Sequence, residues 1–239
     1  MATYVQGTSG ISDSRFDALT LSNVQSGNLV VASIVCLDTT VPTPTDPNSR
    51  VTWTAATSNL ANGSANLKIF YGIAGSTGTV QCRTGNSDIG LCAMAEYSGV
   101  ASSSTLDTNV TNGGTGESNS PSSGADTTDE AGLLLIGAVG YFAGSARTGS
   151  PGSGWTERQD AFDSIYMGQG IYLESIDSAA NSTSYTATAT MSQSVTWCCQ
   201  MCAFRASGGA SSTPLFRRRM NILLRLCLSA FNLIGRCFK

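Results

Sequence analysis

Leu29–Leu37 reads LVVASIVCL, and Leu133–Tyr141, 104 positions later, reads LLLIGAVGY. Each is an apolar run behind a Gly turn, SGN before the first and AG before the second, as expected of a buried strand. LLLIGAV has no alternation, so that strand is predicted to be central or covered on both faces. Around these two runs further segments match in the same order. VTWTAAT around Trp53 resembles SGWTERQ around Trp155, at an offset of 102. LKIFYGI from Leu67 pairs with GIYLESI from Gly170, and TVQCRT from Thr79 with SYTATAT from Ser184. GLCAMAEYSGV pairs with TWCCQMCAFRA, Met94 and Tyr97 falling opposite Met201 and Phe204 at an offset of 107.

Five matched segments in one order imply an internal repeat of about 105 residues. Four or five strands cannot bury both faces of a sheet alone, so the two units are predicted to pair face to face as a two-sheet β-sandwich. Alternation in SYTATATMS, with Tyr185, Ala187, Ala189 and Met191 on one side and Thr186, Thr188 and Thr190 on the other, predicts a half-exposed strand.

Composition agrees. Of 239 residues 41% are hydrophobic, enough for a core, only 12% are charged and 26 are glycine, with Val, Thr and Ser recurring; this favours an all-β body. The net charge of −3 hides an asymmetry: residues 1–216 carry seven basic and all 16 acidic residues, net −9, and the last 23 carry +6. An acidic body is a poor surface for nucleic acid. The start, MATYVQGTSG, has neither a basic nor an apolar region of a secretory signal, so synthesis in a cytoplasm is expected. Six cysteines, Cys36, Cys82, Cys92, Cys198, Cys199 and Cys202, sit in strand-like runs and are read as reduced core residues. Cys199 and Cys202 form a CxxC, but the chain has no histidine and no second ligand pair, so no metal and no cofactor is expected.

The expected organisation is a sandwich over residues 1–207, with repeat 1 at about 20–100, repeat 2 at about 130–207 and a polar stretch at 101–131. That stretch is either a surface crossing or a linker; a crossing lying on the sandwich is favoured. Residues 208–214 form a linker and 215–239 a basic amphipathic helix.

Catalytic machinery is missing from the pattern. Without histidine the usual Ser/His/Asp and Cys/His arrangements cannot be built, and no G-x-S-x-G elbow or phosphate loop occurs. Asp38, Glu96, Glu157, Asp160, Asp163 and Glu174 offer carboxylates, but spacing alone cannot set two of them ~5–9 Å apart across a cleft. Asp46 and Asp88 stand in turn contexts without a calcium-loop motif. No enzyme is expected. Trp53 and Trp155 are candidate glycan contacts, with core packing the alternative that suits two equivalent positions better.

SGNLVVASI, AGLLLIGAV, PGSGWTERQD, YSGV and the W..QM.AFRA ending together resemble jelly-roll β-sandwich proteins of tailed bacteriophages and prophages, over roughly residues 20–207. The resemblance implies a virion structural role, such as a decoration, head-fibre or tail accessory protein, in some cases with glycan binding. Cys198, Cys199 and Cys202, and the basic tail after Pro214, depart from that pattern.

On a helix the tail sets Arg218, Arg225, Ser229, Asn232, Arg236 and Lys239 along one polar stripe, with Leu223, Leu224, Leu226, Cys227, Leu228, Phe231, Leu233, Ile234 and Phe238 over the rest. Arg225 and Arg236 interrupt the run too often for an ordinary membrane span. The expected anchor is Arg217, Arg218, Arg219, Leu223, Leu224, Leu226, Leu228, Phe231, Leu233, Ile234 and Phe238, packed on copies of the chain or on another virion protein after assembly in the host cytoplasm. A carbohydrate-binding module and a shell-forming capsid protein with a basic arm are the alternatives; membrane and nucleic acid are disfavoured partners.

Overall fold

The computed structural model describes residues 1–12, 18–84, 90–163 and 168–208. The first half contributes β1 (Thr3–Ser12), β2 (Leu19–Val24), β3 (Leu29–Cys36), β4 (Thr54–Ala55), β5 (Leu60–Asn62), β6 (Ala65–Ile73), β7 (Gly78–Cys82) and β8 (Gly90–Ser98). The second contributes β9 (Leu106–Ser118), β10 (Asp126–Thr127), β11 (Leu133–Phe142), β12 (Gly149–Pro151), β13 (Thr156–Asp163), β14 (Gln169–Ala179), β15 (Ser184–Tyr185), β16 (Ala189–Met191) and β17 (Val195–Phe204). All of their pairings are antiparallel, and no helix occurs among the described residues. The expected helix at 215–239, with every anchoring residue from Arg217 to Phe238, lies outside the described residues.

Each half builds one large sheet, and its strand order is repeated. The first runs β1-β8-β3-β6-β4 with β5 also on β6; the second runs β9-β17-β11-β14-β13. Each also carries a small outer layer, β2 with β7 in the first half, and β10 with β15 and β12 with β16 in the second. Register makes the equivalence quantitative. Ala32 pairs with Met94 as Gly137 pairs with Met201, so β3 maps onto β11 at an offset of 105 and β8 onto β17 at 107. The apolar runs align by eye at 104, one residue away. Because side chains alternate across a sheet, that slip would exchange faces: Leu29 corresponds to Leu134, both pointing inward, not to outward Leu133.

The two large sheets face each other across a shared core. Leu29, Val31, Val35, Leu67 and Ile69 meet Leu134, Ile136, Ala138, Ile171 and Leu173, each fully buried Leu, Ile or Val side chain being worth about 1.5–3 kcal/mol. Val35 and Gly140 mark one close approach, where a Cβ on Gly140 would lie 2.8 Å from Val35 Cγ2. Contacts between the sheets come in reciprocal pairs: β1 lies on β13 as β9 lies on β5, and β8 on β14 as β17 on β6. This is the self-complementary pattern of a two-fold dimer, here within one chain.

The outer faces are covered too. Val30, Ala32, Ile34, Phe70 and Met94 pack beneath Leu21, Val24, Val80 and Cys82 of β2 and β7. Leu135, Val139, Tyr172, Cys199 and Met201 pack beneath Ala187, Ala189 and Met191. β3 is therefore buried at every position, and β11 at all but its last, as the unbroken apolar runs require. SYTATATMS keeps its alternation but is divided between β15 and β16 of the covering layer.

The stretch 101–131 is not structureless. It holds β9, a 13-residue edge strand hydrogen-bonded along β17, and so supplies the second half with its counterpart of β1.

Candidate functional site

The most informative polar positions lie where the first strand of each half, the turn before its third strand and the end of its last strand meet. Gly27 and Gly132 mark the two turns at the same offset of 105, with φ of 86° and 81°, a conformation that glycine adopts without strain. Each donates its backbone N–H to an equivalent carbonyl, Ala74 and Ala179 respectively. In the first half Gln6 stands opposite Glu96, and in the second Asp107 stands opposite Ala203. Glu96 is fully buried, and its carboxylate accepts three N–H groups: Gln6 Nε2 at 2.6 Å, Gln25 N at 2.8 Å and Asn28 Nδ2 at 2.7 Å. That corner is closed and polar-satisfied.

The second corner uses the same scaffold with different charges. Asp129 and Glu130 replace Val24 and Gln25 at the turn, and Asp107 replaces Gln6. Arg205, just past β17, lies among them. Its Nε donates to Glu130 Oε1 at 2.7 Å, its NH2 group lies 3.1 Å from Asp107 Oδ1, and its NH1 group donates to the Leu106 carbonyl at 3.0 Å. Asp107 is fully buried; Oδ1 also accepts the Asn109 backbone N–H at 3.0 Å, whereas Oδ2 has no hydrogen-bond partner. One carboxylate oxygen from each of Asp107, Asp129 and Glu130 lies within 4.8 Å of the others. Burial pushes the Asp107 carboxyl up, with the Asp129 and Glu130 charges adding to the rise and Asn109 and Arg205 opposing it.

A second acidic feature lies under the outer layer of the second half. Glu157 and Glu174 face each other directly across β13 and β14, at the places that Ala55 and Phe70 hold in the first half. Glu174 is fully buried, and neither oxygen has a hydrogen-bond partner. Burial raises its carboxyl to about 8, only partly offset by the nearby Gly152 and Thr188 backbone N–H groups, and the Glu157 charge adds to the rise. Gly137 makes the room: a Cβ there would lie 2.8 Å from both Glu174 Oε1 and the Ala187 Cβ. The Tyr172 hydroxyl donates to exposed Glu157 at 3.3 Å. Two carboxylates are thus brought together that sequence spacing could not place. Glycoside chemistry needs both to reach a sugar, and the covering layer shuts Glu174 away from one.

The aromatic candidates are structural. Trp53 and Trp155 are each 7% exposed, so neither presents the open ring face that stacking on a sugar needs. They sit equivalently beneath the two outer layers, Trp53 Nε1 donating to the Gln81 carbonyl at 3.4 Å and Trp155 Nε1 to the Thr186 carbonyl at 2.9 Å. Their burial fits the packing alternative for Trp53 and Trp155 better than a glycan contact.

The remaining sequence candidates separate. Asp46 is a loop organiser, its carboxylate accepting backbone N–H groups of Asn48, Arg50, Val51 and Gln81. Asp88 lies outside the described residues. Cys199 points into the outer core and Cys202 into the inner one, with the sheet between them, so the CxxC cannot share a metal. The six described cysteines are buried and unbridged, and burial pushes the Cys198, Cys199 and Cys202 thiols up, which keeps them neutral. A polar cleft of about 190 Å³ opens between the halves at Thr57, Ser58, Thr111, Asn112 and Gln200. Some of its polar groups are already engaged, Thr57 Oγ1 donating to Gln200 Oε1 and Gln200 Nε2 to the Ser58 carbonyl, both at 2.8 Å. No helix among the described residues is long and apolar enough to cross a membrane.

Sequence reading missed the Asp107–Asp129–Glu130–Arg205 corner because Arg205 stands about a hundred residues from Asp107 and no loop motif joins the acids. Comparison of the chain with protein-family models, with curated proteins and with solved structures finds no match.

Proposed function

We propose that this chain is a structural protein of a virion, of the decoration or accessory type, whose β body is displayed and whose last segment fastens it to the particle or to further copies. The observation that carries the reading is the strand order. In each half the first strand lies beside the last, the last beside the third, and the third beside β6 in the first half or β14 in the second; the second strand pairs separately in an outer layer. That order supports a jelly roll, an architecture that viral capsid proteins share with lectins. A doubled jelly roll joined through its large sheets is a two-sheet sandwich at its centre.

Two further features support display over catalysis. The buried Glu174 lies beneath a closed layer, and the two aromatic candidates serve packing. The terminal residues Phe216–Lys239 carry six cationic and many large apolar side chains, a composition that favours a buried partner over open water. Glycan binding loses its aromatic platforms and is not carried forward as a second reading.

Removal of residues 212–239 tests the proposal. The truncated protein is expected to stay folded and to sediment as a small discrete species, while the full chain forms large assemblies visible by electron microscopy. Full assembly by the truncated protein would overturn the anchoring role.

A further inference from the structure

We propose that Asp107, Asp129 and Glu130 form a divalent-cation site, with Ca²⁺ as its occupant. Four observations on this corner carry the assignment. Three carboxylates converge within 4.8 Å, and one guanidinium, Arg205, leaves two negative charges uncompensated. Asp107 is buried with Oδ2 unpartnered, in a molecule whose other buried corner carboxylate, Glu96, is fully satisfied. Asp129 is exposed and Glu130 half-buried, which leaves the cluster open for an ion to enter from solvent.

The first half is an internal control. With the same turn glycine and strand register, it holds a single carboxylate satisfied by neutral N–H donors, so the fold itself does not require three acids there. An all-oxygen ligand set without histidine or cysteine selects hard cations. Ligands drawn from an edge strand and a turn, with water completing the shell, suit the irregular, higher coordination of Ca²⁺ better than the strict octahedron of Mg²⁺. The ion would tie the carboxylates of β9 and of the turn before β11 together, near where the chain leaves the sheet after β17: Ala206 bridges Val100, and the Ser207 N–H donates to the Gly99 carbonyl.

The test is a calorimetric titration of the full-length protein, first stripped with a chelator, with CaCl₂ and separately with MgCl₂, alongside thermal melts. A saturable Ca²⁺ isotherm with a Kd of about 1 mM or tighter and a raised Tm is expected, with Mg²⁺ weaker. Asp129→Asn, whose side chain makes only a surface contact with Asn109, should weaken Ca²⁺ binding at least about tenfold, one carboxylate of three being lost. Glu130→Gln gives a second variant with the same expectation. Absence of heat and an unchanged Tm in the wild-type protein up to about 10 mM CaCl₂, or wild-type affinity retained by both variants, would overturn the assignment.

Discussion

Glu96 and Asp107 occupy matching corners of the two halves, on opposite sides of the same strand pair, and their surroundings are opposites. Glu96 is alone, buried and held by three neutral N–H donors. Asp107 is one of three carboxylates gathered about a single guanidinium, with an oxygen left over. A second such contrast stands beneath the outer layers, where Phe70 fills in one half the place that unpartnered Glu174 takes in the other. The same strand order therefore tolerates a fully hydrogen-bonded carboxylate in the first half and carboxylates with unpartnered oxygens in the second. The two halves share their apolar faces and turns and differ at their polar corners.

The largest effect is expected at the satisfied corner. Glu96→Ala would remove the shared acceptor of three part-buried N–H groups, of which Gln6 Nε2 keeps its bond to the Ser22 carbonyl, and cost about 3 kcal/mol in chemical denaturation, at ~1 kcal/mol for each hydrogen bond lost. A cost below about 1 kcal/mol would mean that the corner is wetter than its burial implies.

At Glu174 the contrast can be read through pH. Below about 4.5, the ordinary value, folded and unfolded states both hold the proton; between there and about 8 only the folded state does. Folding stability therefore falls as pH rises through that window, by on the order of a few kcal/mol, and levels off above it. Glu174→Gln, neutral at every pH, should flatten that part of the profile in denaturant titrations from pH 5 to 8.5. A wild-type slope that survives the substitution would assign it to other groups.

The smallest effect separates the two indoles. Trp155→Phe loses a well-formed hydrogen bond, worth about 1 kcal/mol, and Trp53→Phe a longer and weaker one, so Trp155→Phe should lower Tm further. The reverse order would contradict the ranking of the two hydrogen bonds by length.

How far the fold was legible depended on burial. β3 and β11 announce themselves because both of their faces are covered, which demands unbroken apolar runs, and the Trp strands and closing strands follow at their own offsets. The absence of alternation that made these runs visible also concealed their register, hence an apparent offset of 104 in place of 105. β9 was illegible for a different reason. Its Gly114 admits the Ser122 carbonyl, which a Cβ would approach to 2.4 Å, and its Gly116 admits the Trp197 ring, which a Cβ would approach to 2.7 Å. Glycine and small polar residues, which composition reads as a linker, are there what close packing requires. The acidic corner was hidden because its members come from an edge strand, a turn and the end of β17, a proximity that only the sheet creates. Of the outer layers, TVQCRT and SYTATAT were read as strands of the repeat, but nothing in their spacing set them apart as a covering layer.

Native-state hydrogen exchange along Leu106–Ser118 tests most directly that each half is a complete copy of one strand unit, because it is there that composition and fold disagree. The account predicts that the alternate amides of β9 directed at β17 are protected to a degree similar to those of β1 directed at β8. Exchange of the whole stretch at the rate of an unstructured chain would contradict it.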